Sequence, residues 1–332
     1  MLRWGVLGTG FISHAVIQAI ALSDGSRVTA IAGRNPQSLR EFKDKYAIPR
    51  SYMDPVKLIE DPQVDIVYIA LPNHVHHTMT KIAAENGKAV LSEKSLTTTI
   101  SQAFELLDSV NKNQTFFVEG LMYLAHPLYQ RFVELIKDGR LGNLKSISAS
   151  YCADIWDVVN PASKGTLFNL GCYPASLLHL IVQTMCGDHA FAGRQLVGLG
   201  NFSEKDGNIC DASASVRFDN GVLANLYSSD SYGMTHACTI AGEHGVLEFI
   251  SNPWLPMAGR NHIQWRGYDG STQDIIVDAP HDAFYYQVKM IETAIDNNQL
   301  EASRPSPRLA DSLQIMQFLS DWEQSIVATR QI

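Results

Sequence analysis

Apolar residues fall into short runs over the first 120 positions, separated by segments of helical period. The runs predict strands at 4–7, 27–32, 65–71, 89–91 and 115–118. Between them the pattern predicts helices at 11–22, from Asn35-Pro36 onward, at 77–85 and at 100–110. Asn35 followed by Pro36 is an N-cap and first-turn pair. Leu39, Phe42 and Tyr46 put one apolar stripe on the helix it opens, and Phe104, Leu107 and Val110 mark the inward face of the last one. The 65–71 run is almost wholly apolar, as a strand buried on both faces requires. Alternating strands and helices of this kind imply a Rossmann-type, doubly wound parallel sheet.

The pattern then changes. Residues 144–151 alternate, with Ile147 and Ala149 on one side. Strand-like runs at 212–218 and 222–227 flank Asp219-Asn220-Gly221, a strong hairpin signal. Runs at 239–241 and 246–250 flank Gly242-Glu243-His244-Gly245, and runs at 262–265 and 273–277 flank Tyr268-Asp269-Gly270. Successive hairpins predict a large, open, mostly antiparallel sheet. Phe284, Val288, Ile291 and Ile295 mark one closing helix, and Leu309, Leu313 and Met316 a second that starts at Pro307. The chain is therefore read as α/β followed by α+β, with domains at 1–122 and 123–332.

Composition narrows the function. The 332 residues are 45% hydrophobic and 18% charged, which excludes dominant disorder. A net charge of −8 gives no electrostatic reason to hold DNA or RNA. No apolar run approaches a membrane span, and Met1-Leu2-Arg3-Trp4-Gly5 leads straight into a strand, leaving no room for a signal peptide. Cys152, Cys172, Cys186, Cys210 and Cys238 form no C-x-x-C pair. The expectation is a reduced cytoplasmic protein without a zinc cluster.

Gly8-Thr9-Gly10-Phe11-Ile12-Ser13 lies between a strand and a helix, a G-x-G-x-x-G pattern with Ser13 at the third glycine. The first glycine permits a tight turn, the second lets the backbone approach a pyrophosphate, and the helix N-terminus supplies amide donors. At the end of the second strand an NAD site carries Asp or Glu for the ribose hydroxyls. Here Gly33, Arg34 and Asn35 stand there instead. A guanidinium suits a 2′-phosphate, so NADP is expected, with NAD as the alternative.

Further along come Leu71-Pro72-Asn73-His74-Val75-His76, then Ser92-Glu93-Lys94-Ser95, Val118-Glu119-Gly120 and Asn169-Leu170-Gly171-Cys172-Tyr173. In this order, after an N-terminal dinucleotide fold, they resemble the glucose–fructose oxidoreductase / inositol dehydrogenase (Gfo/Idh/MocA) family. Asn252-Pro253-Trp254-Leu255-Pro256 is similar to a segment of its dimeric dihydrodiol dehydrogenase branch.

The resemblance implies an NAD(P)-dependent oxidoreductase acting on a carbonyl or secondary alcohol of a sugar, cyclitol or trans-diol. It implies that Leu71, Pro72, Asn73, His76, Glu93 and Lys94 line the cofactor with the glycine turn. Tyr173 matches the family's proton donor, and Lys94 would stabilise developing negative charge and assist the phenol. Glu119, Tyr123, Asn169 and Tyr173 are expected on the substrate side. Trp254 either lines the pocket or packs, and His179 is expected to be a core histidine. Two positions depart from the family. Ser95 replaces a proline that often follows a cis bond and lacks proline's low-cost route to cis. Asn169 replaces an aspartate, losing a carboxylate. These departures keep open a non-catalytic, nucleotide-sensing regulator, and a biliverdin-reductase-like double-bond reductase is the other alternative. His74, His76 and His77 lack accompanying carboxylates or cysteines at ligand spacing, so no metal is expected. The expected partners are a small molecule and further copies of the chain, through the second sheet.

Overall fold

The computed structural model describes residues 1–330. They divide into one unit of Met1–Met122 with Phe284–Leu313 and another of Tyr123–Ala283 with the chain from Gln314 onward.

The first unit is built on β1 (Leu2–Leu7), β2 (Ser26–Ala32), β3 (Arg50–Tyr52), β4 (Ile66–Ile69), β5 (Ala89–Ser92) and β6 (Phe117–Glu119), alternating with α1 (Phe11–Ala21), α2 (Pro36–Lys45), α3 (Pro55–Ile59), α4 (His76–Glu85) and α5 (Ile100–Asn113). The strands run in the order β3-β2-β1-β4-β5-β6, all parallel. This doubly wound sheet is the one the alternation predicted. β3 and α3 escaped the sequence reading because three and five residues are too few to show a period. Asn35 does cap α2, its side chain accepting from Gln37 N at 2.9 Å and Ser38 N at 3.2 Å. One expectation is corrected. Phe104 is 55% exposed, and α5 buries Ala103, Leu106, Leu107 and Val110 instead. Successive helical residues turn by about 100°, so a seam through 103 and 107 carries 104 away from the core.

The second unit opens with α6 (Pro127–Lys137) and β7 (Leu144–Ala153), continues through α7 (Cys172–Cys186), and then runs through β8 (Arg194–Phe202), β9 (Ile209–Phe218), β10 (Leu223–Ser229), β11 (Met234–Gly242), β12 (Gly245–Phe249), β13 (Gly259–Gly267) and β14 (Thr272–Ala279). The order is β14-β13-β12-β11-β7-β10-β9-β8, antiparallel except for β7 beside β10. On β9, Ala212, Ala214, Val216 and Phe218 point inward. On the other face, Val197, Leu199 and Leu223 are exposed. Gly198 makes room for the buried Trp322, whose ring would lie 2.8 Å from a Cβ there.

The segment from 284 to 313 was expected in the second domain, and the structure returns it to the first unit. Along α8 (Ala283–Asp296), Val288, Ile291 and Ala294 join the core of Trp4, Ile17, Ile20, Ile31 and Tyr68. Phe117 N donates to Leu300 O at 3.1 Å, so the chain beyond α8 lies beside β6. The last helix, α9 (Leu309–Thr329), begins two residues after Pro307. Among the described residues no helix is long and apolar enough to cross a membrane.

A buried carboxylate fastens α8. Glu292 Oε1 accepts from Ser23 at 2.6 Å and Ser26 at 2.5 Å, while Lys289 donates to Oε2 at 2.6 Å. Burial raises the Glu292 pKa, but Lys289 and the two hydroxyls outweigh it and leave the group below its ordinary value. Its stabilisation is therefore complete above the unfolded value of about 4.3 and is lost as pH falls through the lowered folded value. Glu292→Ala is expected to cost about 2–3 kcal/mol by leaving two hydroxyls unmatched. Urea unfolding at neutral pH checks this; an unchanged midpoint would show that the network does not support the unit.

Candidate functional site

In the first unit the turn after β1 is shaped by two close approaches. Gly8 has φ +114°, and a Cβ there would lie 2.4 Å from Ala70 O. Only glycine meets both conditions. A Cβ on Gly33 would lie 2.8 Å from the Thr9 side chain. Gly10 is open, with nothing within 4 Å of its Cβ position, and it begins α1 without any side-chain cap. Phe11 is 88% exposed beside it, and Ile12 is half-buried. A helix N-terminus whose amides no side chain covers, behind a residue with no side chain, fits a pyrophosphate. Ser13, at the third glycine position, is buried and donates to Gly8 O at 2.9 Å, so its hydroxyl is satisfied within the turn. Arg34 is exposed after β2, and Asn35 is engaged as the cap of α2.

The loops after β4 and β5 are tied together. Leu71 and Pro72 are half-buried and Asn73 is buried. His76 has no exposed surface, and its ring nitrogens lie 2.9 Å from Ser95 O and 2.7 Å from Leu71 O. Burial pushes the imidazole down to about 4, against the pull of both carbonyls. His76 therefore positions the loop from inside and offers no surface to a ligand. The Lys94–Ser95 peptide is cis although residue 95 is serine. Glu93 Oε1 accepts from the Tyr68 hydroxyl at 2.7 Å, and burial raises its pKa while Lys94 pulls it back. Glu119 is 2% exposed and is held by the Ser312 hydroxyl and the Leu96 amide. Burial, with a smaller push from Glu93, brings it up to about 7.

In the second unit Tyr173 stands in the first turn of α7. Its ring centroid lies 5.2 Å from Tyr151, 5.7 Å from Tyr123 and 6.2 Å from Trp254. Trp254 is buried and donates from Nε1 to Ser150 O at 2.9 Å, so it packs. Tyr123 is also fully buried, its hydroxyl 2.7 Å from Ser176 Oγ, which makes it a wall behind Tyr173. Burial pushes Tyr151 up to about 12. His179 is buried and its Nε2 lies 2.9 Å from Gln314 Oε1, a core histidine as expected. Asn169 lies in a π-helical turn, Leu167–Gly171, that runs directly into α7. Its Nδ2 donates to Asp230 Oδ2 at 2.8 Å.

Tyr68, Tyr151 and Asp230 were absent from the sequence reading. Tyr68 carries a polar handle in an otherwise aliphatic strand, which was a usable signal; Asp230 gives none before its partner is known. His77 lies 3.2 Å from Glu105. Among the described residues no group of three or more His, Cys, Asp or Glu is arranged to hold a metal.

Comparison with known proteins adds three kinds of match. Residues 2–121 match the GFO/IDH/MocA "Oxidoreductase family, NAD-binding Rossmann fold", and residues 129–248 match the "GFO/IDH/MocA C-terminal domain". An uncharacterised oxidoreductase of Rhizobium meliloti is 26% identical, covering 97% of this chain and 99% of its own length. The trans-1,2-dihydrobenzene-1,2-diol dehydrogenase of Xenopus tropicalis is 25% identical over 76% of this chain and 77% of its own. A 3-ketoreductase from Actinomadura kijaniata, solved with NADP and TDP-benzene, shares the fold with a TM-score of 0.86 at 22% identity, covering 98% of this chain and 97% of that one.

The two glycines of the turn are expected to respond differently. Gly8→Ala should destabilise the protein, because a positive φ and a blocked Cβ coincide. Gly10→Ala should leave the thermal midpoint in place but weaken NADPH at least about tenfold by crowding the approaching phosphate. NADPH fluorescence titration beside thermal unfolding separates the two, and an unaltered affinity in Gly10→Ala would remove this turn from the nucleotide site.

Proposed function

The chain belongs to the GFO/IDH/MocA oxidoreductase family, with its NAD-binding Rossmann fold, and on that premise we propose that it is an NADP-dependent enzyme interconverting a ring carbonyl and a secondary alcohol. The substrate class is a sugar, cyclitol or cyclic trans-diol. The observation that carries this reading is the pairing of the open glycine turn with Arg34, exposed after β2 where an NAD site has a carboxylate. The relatives' names support the chemical class, since a diol dehydrogenase and a ketoreductase run the same conversion in opposite directions.

Gly8, Thr9, Gly10 and the first amides of α1 would hold the pyrophosphate, and Arg34 the 2′-phosphate. Pro72 and Asn73 would face the ribose side, with His76 holding their loop from beneath. Once bound, the nicotinamide supplies or takes the hydride. Tyr173 gives a proton from its phenolic oxygen to the substrate oxygen in reduction and accepts it back in oxidation. Lys94 Nζ stabilises the negative charge that develops on that oxygen. Glu93, anchored by Tyr68, holds the backbone of Lys94, whose amide donates to Glu93 Oε2 at 3.3 Å. The aromatic walls of Tyr123, Tyr151 and Trp254 keep water from the Tyr173 ring.

Tyr173→Phe is expected to lower kcat about 10²–10⁴-fold with little change in NADPH affinity. NADPH oxidation over a panel of ketoses, osones and cyclic diketones measures it, and an unchanged rate would take Tyr173 out of the reaction. Arg34→Ala should weaken NADPH by about 1–3 kcal/mol while sparing NADH. Paired fluorescence titrations read the difference; equal losses for both cofactors would argue for NAD.

A further inference from the structure

The second unit holds a buried carboxylate to which the mechanism above gives no part. Asp230 follows β10 directly and has no exposed surface. Its Oδ2 accepts from Asn169, its main-chain N donates to Cys210 O at 3.2 Å, and its main-chain O accepts from Ile155 N at 3.1 Å. Its Oδ1 is buried without a hydrogen-bond partner. Two residues earlier, Ser228 Oγ lies 2.7 Å from Thr166 Oγ1. The end of one strand thus grips the π-helical turn at two points, Thr166 and Asn169. Such a turn departs from regular helical hydrogen bonding, so the side chains that hold it decide its shape. The Ser228–Thr166 contact is neutral. The Asp230–Asn169 contact is charge-assisted when the carboxyl is ionised, and roughly twice as strong.

We propose that Asp230 is a positioning residue for Tyr173: its carboxylate, held on the Asn169 amide, fixes the π-helical turn and so the direction in which α7 presents the phenol. This rests on the reading of Tyr173 as the proton-transferring group.

The pair has an unusual energetic sign. Asp211 and Cys210 on β9 and Asp206 in the turn before it are the titratable groups that act on Asp230, and no lysine or arginine pairs with it among the described residues. Burial pushes Asp230 up to about 6, Asn169 opposes this, and Asp211 and Asp206 add to it. Because the folded value is raised, ionising Asp230 costs global stability as pH climbs through that range, while the bond to Asn169 strengthens. Positioning and stability therefore respond to pH in opposite directions.

The test is a partner exchange. Asp230→Asn keeps an acceptor for the Asn169 amide but removes the charge, and should lower kcat about 5- to 30-fold, the scale of losing charge assistance from a buried hydrogen bond. NADPH affinity should hold, and the thermal midpoint at about pH 7.5 should be no lower than that of the wild type. Wild-type kcat should rise between about pH 5 and 7, and that rise should be missing from the variant. The double variant Asn169→Asp/Asp230→Asn keeps one acid and one amide with places exchanged, and should recover kcat to within about threefold. Deuterium exchange of residues 166–175, followed by mass spectrometry, reads the grip without turnover. It should be faster in Asp230→Asn and return to the wild-type rate in the double variant. Wild-type kcat, pH profile and exchange in Asp230→Asn would overturn the proposal, as would a kcat loss that follows stability and is not recovered by the exchange. If Tyr173→Phe leaves kcat unchanged, the parent reading fails; if Tyr173→Phe is slow and Asp230→Asn is not, this inference alone fails.

Discussion

The nucleotide-binding unit depends on how tightly the chain must leave β1. That strand sits in the interior of a parallel sheet, and its end is held on both sides. Gly8 N donates to Ala32 O at 2.8 Å, and Ala70 N donates to Leu7 O at 2.9 Å. The chain must rise out of the sheet within one residue, against the carbonyl of Ala70, and only a residue without a Cβ passes. The same tightness brings neighbouring strand ends into register. Thr9 meets Gly33 after β2, Gly8 meets Ala70 after β4, and His76 carries the contact from Leu71 to Ser95 after β5. A continuous line of contacts thus orders the loops at the carboxyl ends of four strands, the place where open parallel sheets bind ligands.

Buried polar groups organise both units, and each is placed where apolar packing alone would leave orientation free. Glu292 fastens α8 through two serines and a lysine. Glu119 braces Leu96 and Ser312 at the end of β6, and Glu93 is braced by Tyr68. Burying such groups costs several kcal/mol unless they are bonded, so each imposes one geometry on its neighbours. Glu119 and Asp230 each keep one buried carboxylate oxygen without a partner. Both are also pushed upward by burial, to about 7 and about 6.

Much of the candidate site was legible because its parts are local. The glycine turn, the missing carboxylate after β2, the Asn35 cap and the Glu93-Lys94 pair are each set by a few adjacent residues. The placement of His76 and Glu119 was less legible. Both occupy positions where a ligand contact was expected, and both prove to be enclosed, because exposure depends on what packs above a side chain. The Lys94–Ser95 bond is cis with serine where proline was the expected carrier, a conformation that no local preference announces.

The chain's own pattern determined the parallel sheet, the hairpins of the second unit and the identity of the nucleotide turn, since backbone sterics and alternating burial act over a handful of residues. Tertiary structure decided the rest. It returned 284–313 to the first unit, where Glu292 meets serines 269 and 266 positions earlier. It set the inward face of α5 at Ala103 and Leu107 rather than Phe104. It gave Asn169 a carboxylate from a residue 61 positions away. Contacts at such separations depend on how elements pack, and no periodicity in one segment encodes the segment that will lie against it.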